Sequence, residues 1–145
     1  MRNAEQYPFI AGDTALGEAS FRPYLPFTLI HQQRSVTTSG LLDTGASINV
    51  LPYLAGIELG YEWERQTTAL SLTGNLAQYE ARVVLVQAAI GQFEPVQLVF
   101  AWTQAMNVPL ILGQVNFFME FDVCFYRSQL EFAVCPKVSA SDSEG

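Results

Sequence analysis

The sequence predicts an all-β domain, a closed or nearly closed barrel or a sandwich, on three observations. Apolar residues recur with the period of a strand, turn chemistry separates the short runs, and only two brief segments look helical. Leu25, Phe27 and Leu29 alternate with Pro26 and Thr28, the pattern of a half-buried strand. The polar stretch His31-Gln32-Gln33-Arg34 reads as a turn, followed by a Ser/Thr/Val strand over residues 35–42. Val50-Leu51 continues into another strand, and residues 52–59 read as a short helix. Residues 67–73 and 76–86 flank Gly74-Asn75, a two-residue hairpin signal because both positions tolerate positive φ. Residues 96–102 form a buried strand, and residues 114–119 give a second helical stretch near the C-terminus. A last hairpin, residues 121–126 and 130–134, turns at Arg127-Ser128-Gln129.

The chain has 145 residues, the size of one domain. Residues 1–20 are mixed and aperiodic and read as a loose arm or pro-segment, residues 21–135 as the domain, and residues 136–145 as a disordered acidic tail. Half of the residues are hydrophobic and 14% are charged, against ~25% charged in an average domain. Such a chain can bury a sizeable core, and the low charge points to a surface partly covered by a partner. With 7 Lys and Arg against 14 Asp and Glu, the net charge is −7. A phosphate backbone needs clustered cations, so nucleic acid is excluded as a partner.

The longest apolar run, Leu98 to Trp102, has five residues, too few for a membrane-spanning helix. Residues 1–20 lack a charged start followed by an apolar run, so no secretory signal is expected and the setting expected is cytoplasmic. Cys124 and Cys135 read as two buried free thiols of a reducing compartment. The single histidine, His31, reads as a solvated turn residue. With no His/Cys cluster at ligand spacing, neither a metal nor any other cofactor is expected.

The informative segment is Leu41-Leu42-Asp43-Thr44-Gly45-Ala46-Ser47. It places a carboxylate at the end of an apolar strand, beside the core. Gly45 allows a sharp turn and the close approach of another chain, and Ala46 and Ser47 keep that approach open. Asp-Thr-Gly alone also suits an ordinary strand-end turn; context decides. Val50-Leu51-Pro52 follows, then the Gly74-Asn75 hairpin, and about 65 residues on comes Pro109-Leu110-Ile111-Leu112-Gly113 before Gln114-Val115-Asn116-Phe117-Phe118.

This order resembles the retropepsin-like aspartic proteases, single-domain relatives of the retroviral proteases, over residues 22–134. The resemblance implies a closed β barrel with one short C-terminal helix, working as a homodimer. Carried over by position, it implies Asp43 as the catalytic aspartate. Thr44 would bond across to the matching loop of a second subunit, and Gly45 would contact substrate backbone. Leu72, Thr73, Gly74, Asn75 and Leu76 would belong to a mobile flap. Leu110, Ile111, Leu112 and Gly113 would pack behind the aspartate loop, with Gly113 starting the helix and Gln114 beside it.

Two departures stand out. Retroviral members usually carry Asp where this chain has Ser47 and Arg where it has Gln114, an ion pair near the active site. Both are neutral here, so a hydrogen bond between Ser47 and Gln114 is expected instead. The flap turn is also poor in glycine, with Gly74 alone.

Peptide hydrolysis without metal or covalent nucleophile needs one carboxylate to take a proton from water and another to give one to the carbonyl oxygen. The chain has four aspartates, Asp13, Asp43, Asp122 and Asp142, and Asp43 alone precedes Thr-Gly. The second carboxylate must then be Asp43 of another copy. Leu70, Leu72, Leu76, Ile48 and Val50 imply an apolar cleft and a peptide or protein substrate cut between bulky apolar residues. Alternative readings are a catalytically weak or inactive dimer that binds peptides or acts as a scaffold, and a small barrel that binds an apolar ligand.

Overall fold

The computed structural model describes residues 3–12, 14–72 and 79–138. In chain order the strands are β1 (Glu5–Pro8), β2 (Ile10–Ala11), β3 (Phe21–Arg22), β4 (Tyr24–His31), β5 (Arg34–Leu42), β6 (Asn49–Leu51), β7 (Ala69–Ser71), β8 (Glu80–Ala89), β9 (Val96–Thr103), β10 (Ile111–Leu112), β11 (Phe121–Tyr126) and β12 (Glu131–Pro136). Two short helices, α1 (Tyr53–Glu58) and α2 (Phe117–Glu120), complete the set with brief 3-10 turns.

The strands β4-β5-β10-β6-β9-β8 are hydrogen-bonded in that order, and β8 also pairs with β4, which closes a barrel of six strands. Strand β7 is added outside on β8. Closure removes the open sheet edges that a small β domain would otherwise expose. The alternation read at Leu25, Phe27 and Leu29 is the physical cause of the inward face of β4: all three are buried. From β8 and β9 come Val84, Val86, Leu98, Phe100 and Trp102, also buried. Trp102 sits wholly inside and stacks on Tyr53 with ring centroids 5.6 Å apart. Its indole N–H donates to the Tyr53 carbonyl at 3.0 Å. Gly56 of α1 is what lets the helix lie against it, because a Cβ there would overlap the indole.

A second sheet, β1-β12-β11, stands beside the barrel. The hairpin around residues 127–129 is present, and β1 adds to it from the segment expected to be a loose arm, with Glu5 opposite Val134 and Pro8 opposite Glu131. Phe9, directly after β1, is buried against Phe132. The expectation of looseness came from the lack of periodicity, yet alternate half-buried and exposed residues suffice for an edge strand.

Three further differences are local. Strand β8 runs to Ala89, beyond the expected end, and is paired along most of its length with β9. His31 is not free in solvent but stacks on Tyr61 at 4.0 Å. Helix α2 begins at Phe117, so Gly113 does not start it; the N–H groups of Gln114 and Val115 are used instead on the carbonyls of Ala46 and Ser47. The Gly74-Asn75 turn, with Thr73 and Leu76, lies outside the described residues. Cys124 and Cys135 are both free; burial pushes the Cys135 thiol up in pKa, with the Asp122 charge adding to it.

Candidate active site

Asp43 stands where β5 ends. The parallel pairing of β5 with β10 sets Leu41 opposite Ile111 and Leu42 opposite Leu112, and the Asp43 N–H then donates to the Leu112 carbonyl at 3.0 Å. The chain turns at once: the Ala46 N–H donates back to the Asp43 carbonyl at 3.1 Å. Inside this turn the Gly45 N–H donates to Asp43 Oδ1 at 3.0 Å, so the loop itself orients the carboxylate. A charge-assisted bond of this kind is stronger than a neutral one.

The other wall of the loop is residues 110–115. The Leu110 carbonyl accepts from Leu41 N–H at 2.8 Å, and the N–H groups of Gln114 and Val115 donate to the carbonyls of Ala46 and Ser47 at 2.9 and 3.0 Å. The two segments lie so close that a Cβ on Gly113 would stand 2.7 Å from the Ala46 carbonyl oxygen and 2.8 Å from that of Ile48. Only glycine fits between two backbones at that separation.

Asp43, Gly45, Ala46 and Ser47 border a cleft of about 230 Å3, whose other walls are Ile48, Val50, Ser71, Leu72 and Ile111. Its apolar side has a small core of its own. Val50 and Leu72 pack with Ala81 and Ala101, and Ile48, Leu70 and Ile111 lie against them. Among the described residues that line it, Asp43 is the single ionisable side chain. A carboxylate held by its own loop thus borders a cleft with one apolar wall, and the sequence model of a known family, described as aspartyl protease, matches residues 30–115.

The chain belongs to that aspartyl protease family. The crystal structure of a retropepsin-like aspartic protease from Rickettsia conorii is similar, with a TM-score of 0.58 over 91% of this chain and 91% of that one, at 12% identity. The shared feature at that identity is the retropepsin-like fold. No curated protein sequence matches the chain.

Within this aspartyl protease fold the sequence-derived residues are distributed as follows. Asp43, Gly45, Ala46, Ser47 and Leu72 meet at the cleft, and Thr44 lies exposed in the turn between them. Leu110, Leu112 and Gly113 are buried behind the loop, whereas Ile111, expected behind it too, also forms part of the cleft wall. The parallel register alternates the faces of β10, so its two residues cannot both point inward. Gln114 does not reach for Ser47: its Nε2 donates to the Thr44 carbonyl at 2.8 Å, and the Val115 N–H holds the Ser47 carbonyl. No group of three or more His, Cys, Asp or Glu side chains among the described residues is placed to hold a metal ion. Nor is any helix among them long and apolar enough to cross a membrane.

Sequence reasoning missed Asn49 and Asn116. Asn49 is wholly buried in β6, and its amide bonds to Gly113, Val99 and Asn116. The signal was present: an asparagine inside Ile48-Asn49-Val50-Leu51 is out of place in a buried strand unless its amide has partners.

Proposed function

We propose that the chain is an aspartic endopeptidase active as a homodimer, with Asp43 of each copy supplying one of two catalytic carboxylates. The observation that supports this is the cleft in whose lining Asp43 is the single ionisable side chain among the described residues. One carboxylate cannot act as both base and acid in the same step. Two brought together by a second copy would share one proton, because like charges at ~3 Å do not both ionise. The ionised member takes a proton from water while the protonated member gives its proton to the carbonyl oxygen of the scissile bond. The resulting tetrahedral adduct collapses, the C–N bond breaks, and the amine leaves with a proton returned by the pair.

The remaining roles follow the family resemblance. Thr44 bonds across the two-fold axis, Gly45 contacts substrate backbone, and Leu72, Thr73, Gly74, Asn75 and Leu76 close over the peptide as a flap. Leu110, Ile111, Leu112, Gly113 and Gln114 support the aspartate loop, the last through its bond to the Thr44 carbonyl. Ile48, Val50, Leu72 and Ile111 favour bulky apolar residues beside the cut. The protease domain takes in β1 to β12, residues 5–136, rather than starting at residue 21, and a reducing, cytoplasmic setting suits the two free thiols.

The test is cleavage of a diverse peptide library by the wild type and by Asp43→Asn, read by mass spectrometry over a dilution series. The expected result is loss of cleavage in the Asp43→Asn variant and, for the wild type, activity per subunit that falls on dilution. Equal cleavage by both proteins, or full activity in a purely monomeric sample, would overturn the proposal. Peptide binding without turnover would favour a scaffold instead.

A further inference from the structure

We infer that Asn49 and Asn116 form a side-chain brace that positions the Asp43 loop for catalysis, an inference that rests on the peptidase reading. The two amides bond to each other, Asn49 Nδ2 to Asn116 Oδ1 at 3.1 Å. Each then grips backbone. Asn49 Oδ1 accepts from Gly113 N–H at 2.8 Å, and its second Nδ2 hydrogen goes to the Val99 carbonyl at 2.9 Å. Asn116 Oδ1 also accepts from Val99 N–H at 3.0 Å, and Asn116 Nδ2 donates to the Gln97 carbonyl at 3.0 Å. The pair therefore ties β6 and residues 113–116 to β9, a strand in the middle of the barrel wall.

What the brace holds is the segment that holds the aspartate. Leu112, next to Gly113, accepts the Asp43 N–H. Gln114 donates from its backbone to the Ala46 carbonyl and from its side chain to the Thr44 carbonyl. A valine at position 49 would satisfy the neighbouring apolar packing at no desolvation cost, so the amide's distinct contribution is direction. Hydrogen bonds fix where Gly113 sits relative to Val99; apolar contacts allow it to slide. In a two-fold site a loop displacement occurs on both sides at once, so the separation of the two carboxylates takes the error twice. Neither asparagine lines the cleft. Both are positioning residues.

Asn116 is only half-buried and is the variant of choice, because truncating Asn49 strips a buried amide network. In Asn116→Ala, kcat per folded dimer should fall about 10- to 100-fold, the range of a misplacement near 1 Å, with KM little changed. Asn116→Asp keeps both acceptor contacts and, once its carboxyl is protonated, can donate to the Gln97 carbonyl; kcat relative to the wild type at the same pH should recover as pH falls through about 4. Hydrogen exchange gives a readout free of activity. Amides of residues 43–48 should exchange faster in Asn116→Ala, whereas those of β11 and β12 keep their protection. Val134→Ala, a core truncation in β12, serves as the destabilised control and should leave residues 43–48 protected. Unchanged exchange at 43–48 in Asn116→Ala, or a kcat equal to that of the control, would overturn the brace. Should Asn116→Ala not fold, Asn116→Asp at neutral pH, its carboxylate facing the Gln97 carbonyl, carries the same comparison. If the wild type cleaves nothing, the peptidase reading fails, and the exchange result still decides for or against the brace.

Discussion

Gly113→Ala is the sharpest single perturbation of the site. The added methyl would stand 2.7 Å from the Ala46 carbonyl oxygen, 2.8 Å from that of Ile48 and 3.0 Å from the Ile48 carbonyl carbon. All three are backbone atoms, so no side chain can rotate away to make room. The loop carrying Asp43 must move, or residues 112–114 must. Overpacking of this kind costs ~1–3 kcal/mol, and displacing Gly113 also weakens its buried bond to Asn49, adding ~1 kcal/mol. Together these give about 2–4 kcal/mol. For a chain near this size the loss corresponds to a fall in Tm of roughly 5–15 °C. Thermal unfolding followed by circular dichroism measures it directly, with Leu54→Ala on the exposed face of α1 as a neutral reference. Because relief comes from moving the Asp43 loop, peptide cleavage should be lost even at temperatures where the variant is folded. A Gly113→Ala protein with a Tm within 2 °C of wild type (about the effect of a surface change) and normal cleavage would refute the close approach as described.

Three more outcomes are expected. Leu72→Ala removes an apolar wall of the cleft and should lower kcat/KM about 10- to 30-fold for peptides with a bulky residue beside the cut, and far less for small ones; an equal fall for all peptides would exclude Leu72 from selection. Tyr61 is buried with its hydroxyl donating to the Leu85 carbonyl, and burial pushes its pKa from 10.0 to about 12. The unfolded chain therefore loses this proton first, and stability should fall between pH 10 and 12 by about 1.4 kcal/mol per pH unit from this group. Chemical denaturation of Tyr61→Phe should show that alkaline fall reduced; an identical pH dependence would refute it. Ala46→Ser adds a hydroxyl to the residue whose N–H already binds the Asp43 carbonyl; donation from it to an ionised Asp43 should shift the activity profile to lower pH, and an unchanged or upward-shifted profile would count against that contact.

The barrel was legible because its strands obey the period of two over long stretches. Leu25, Phe27 and Leu29 announce β4 without any help from tertiary structure, and residues 96–102 announce β9. The Asp43 loop was legible for a different reason: its small residues have few uses beside a carboxylate at a strand end. What escaped were features set by partners distant in sequence. Helix α2 is shorter than its residues suggest, because Val115 bridges Ile48 in parallel and its carbonyl accepts the Asn49 N–H instead of serving a helix. No local propensity encodes that bond. The pairing of β1 with β12 joins segments more than 120 residues apart, with Glu5 opposite Val134, and neither end carries a strong pattern. Gln114 was placed beside the right loop but given the wrong partner, since analogy with a charged pair pointed at a side chain where the available acceptor is the Thr44 carbonyl.

These failures and successes share one cause. A short chain must build a precise site from few residues, and here it does so by making backbone the partner of backbone. Asp43, Ala46, Ser47, Leu110, Leu112, Gln114 and Val115 are linked through main-chain groups, which any residue except proline supplies. Identity then matters only where the two segments need thinness, at Gly113, or direction, at Asn49 and Asn116. The side chains of Ser47 and Gln114 are thereby released from a charged role, and their neutrality removes two charges from the cleft's surroundings. A cleft with an apolar wall and, among its described residues, one ionisable group per copy leaves the second charge that the reaction needs to come from outside that copy. On the homodimer reading that charge is the partner's own aspartate, so assembly and activation are the same event.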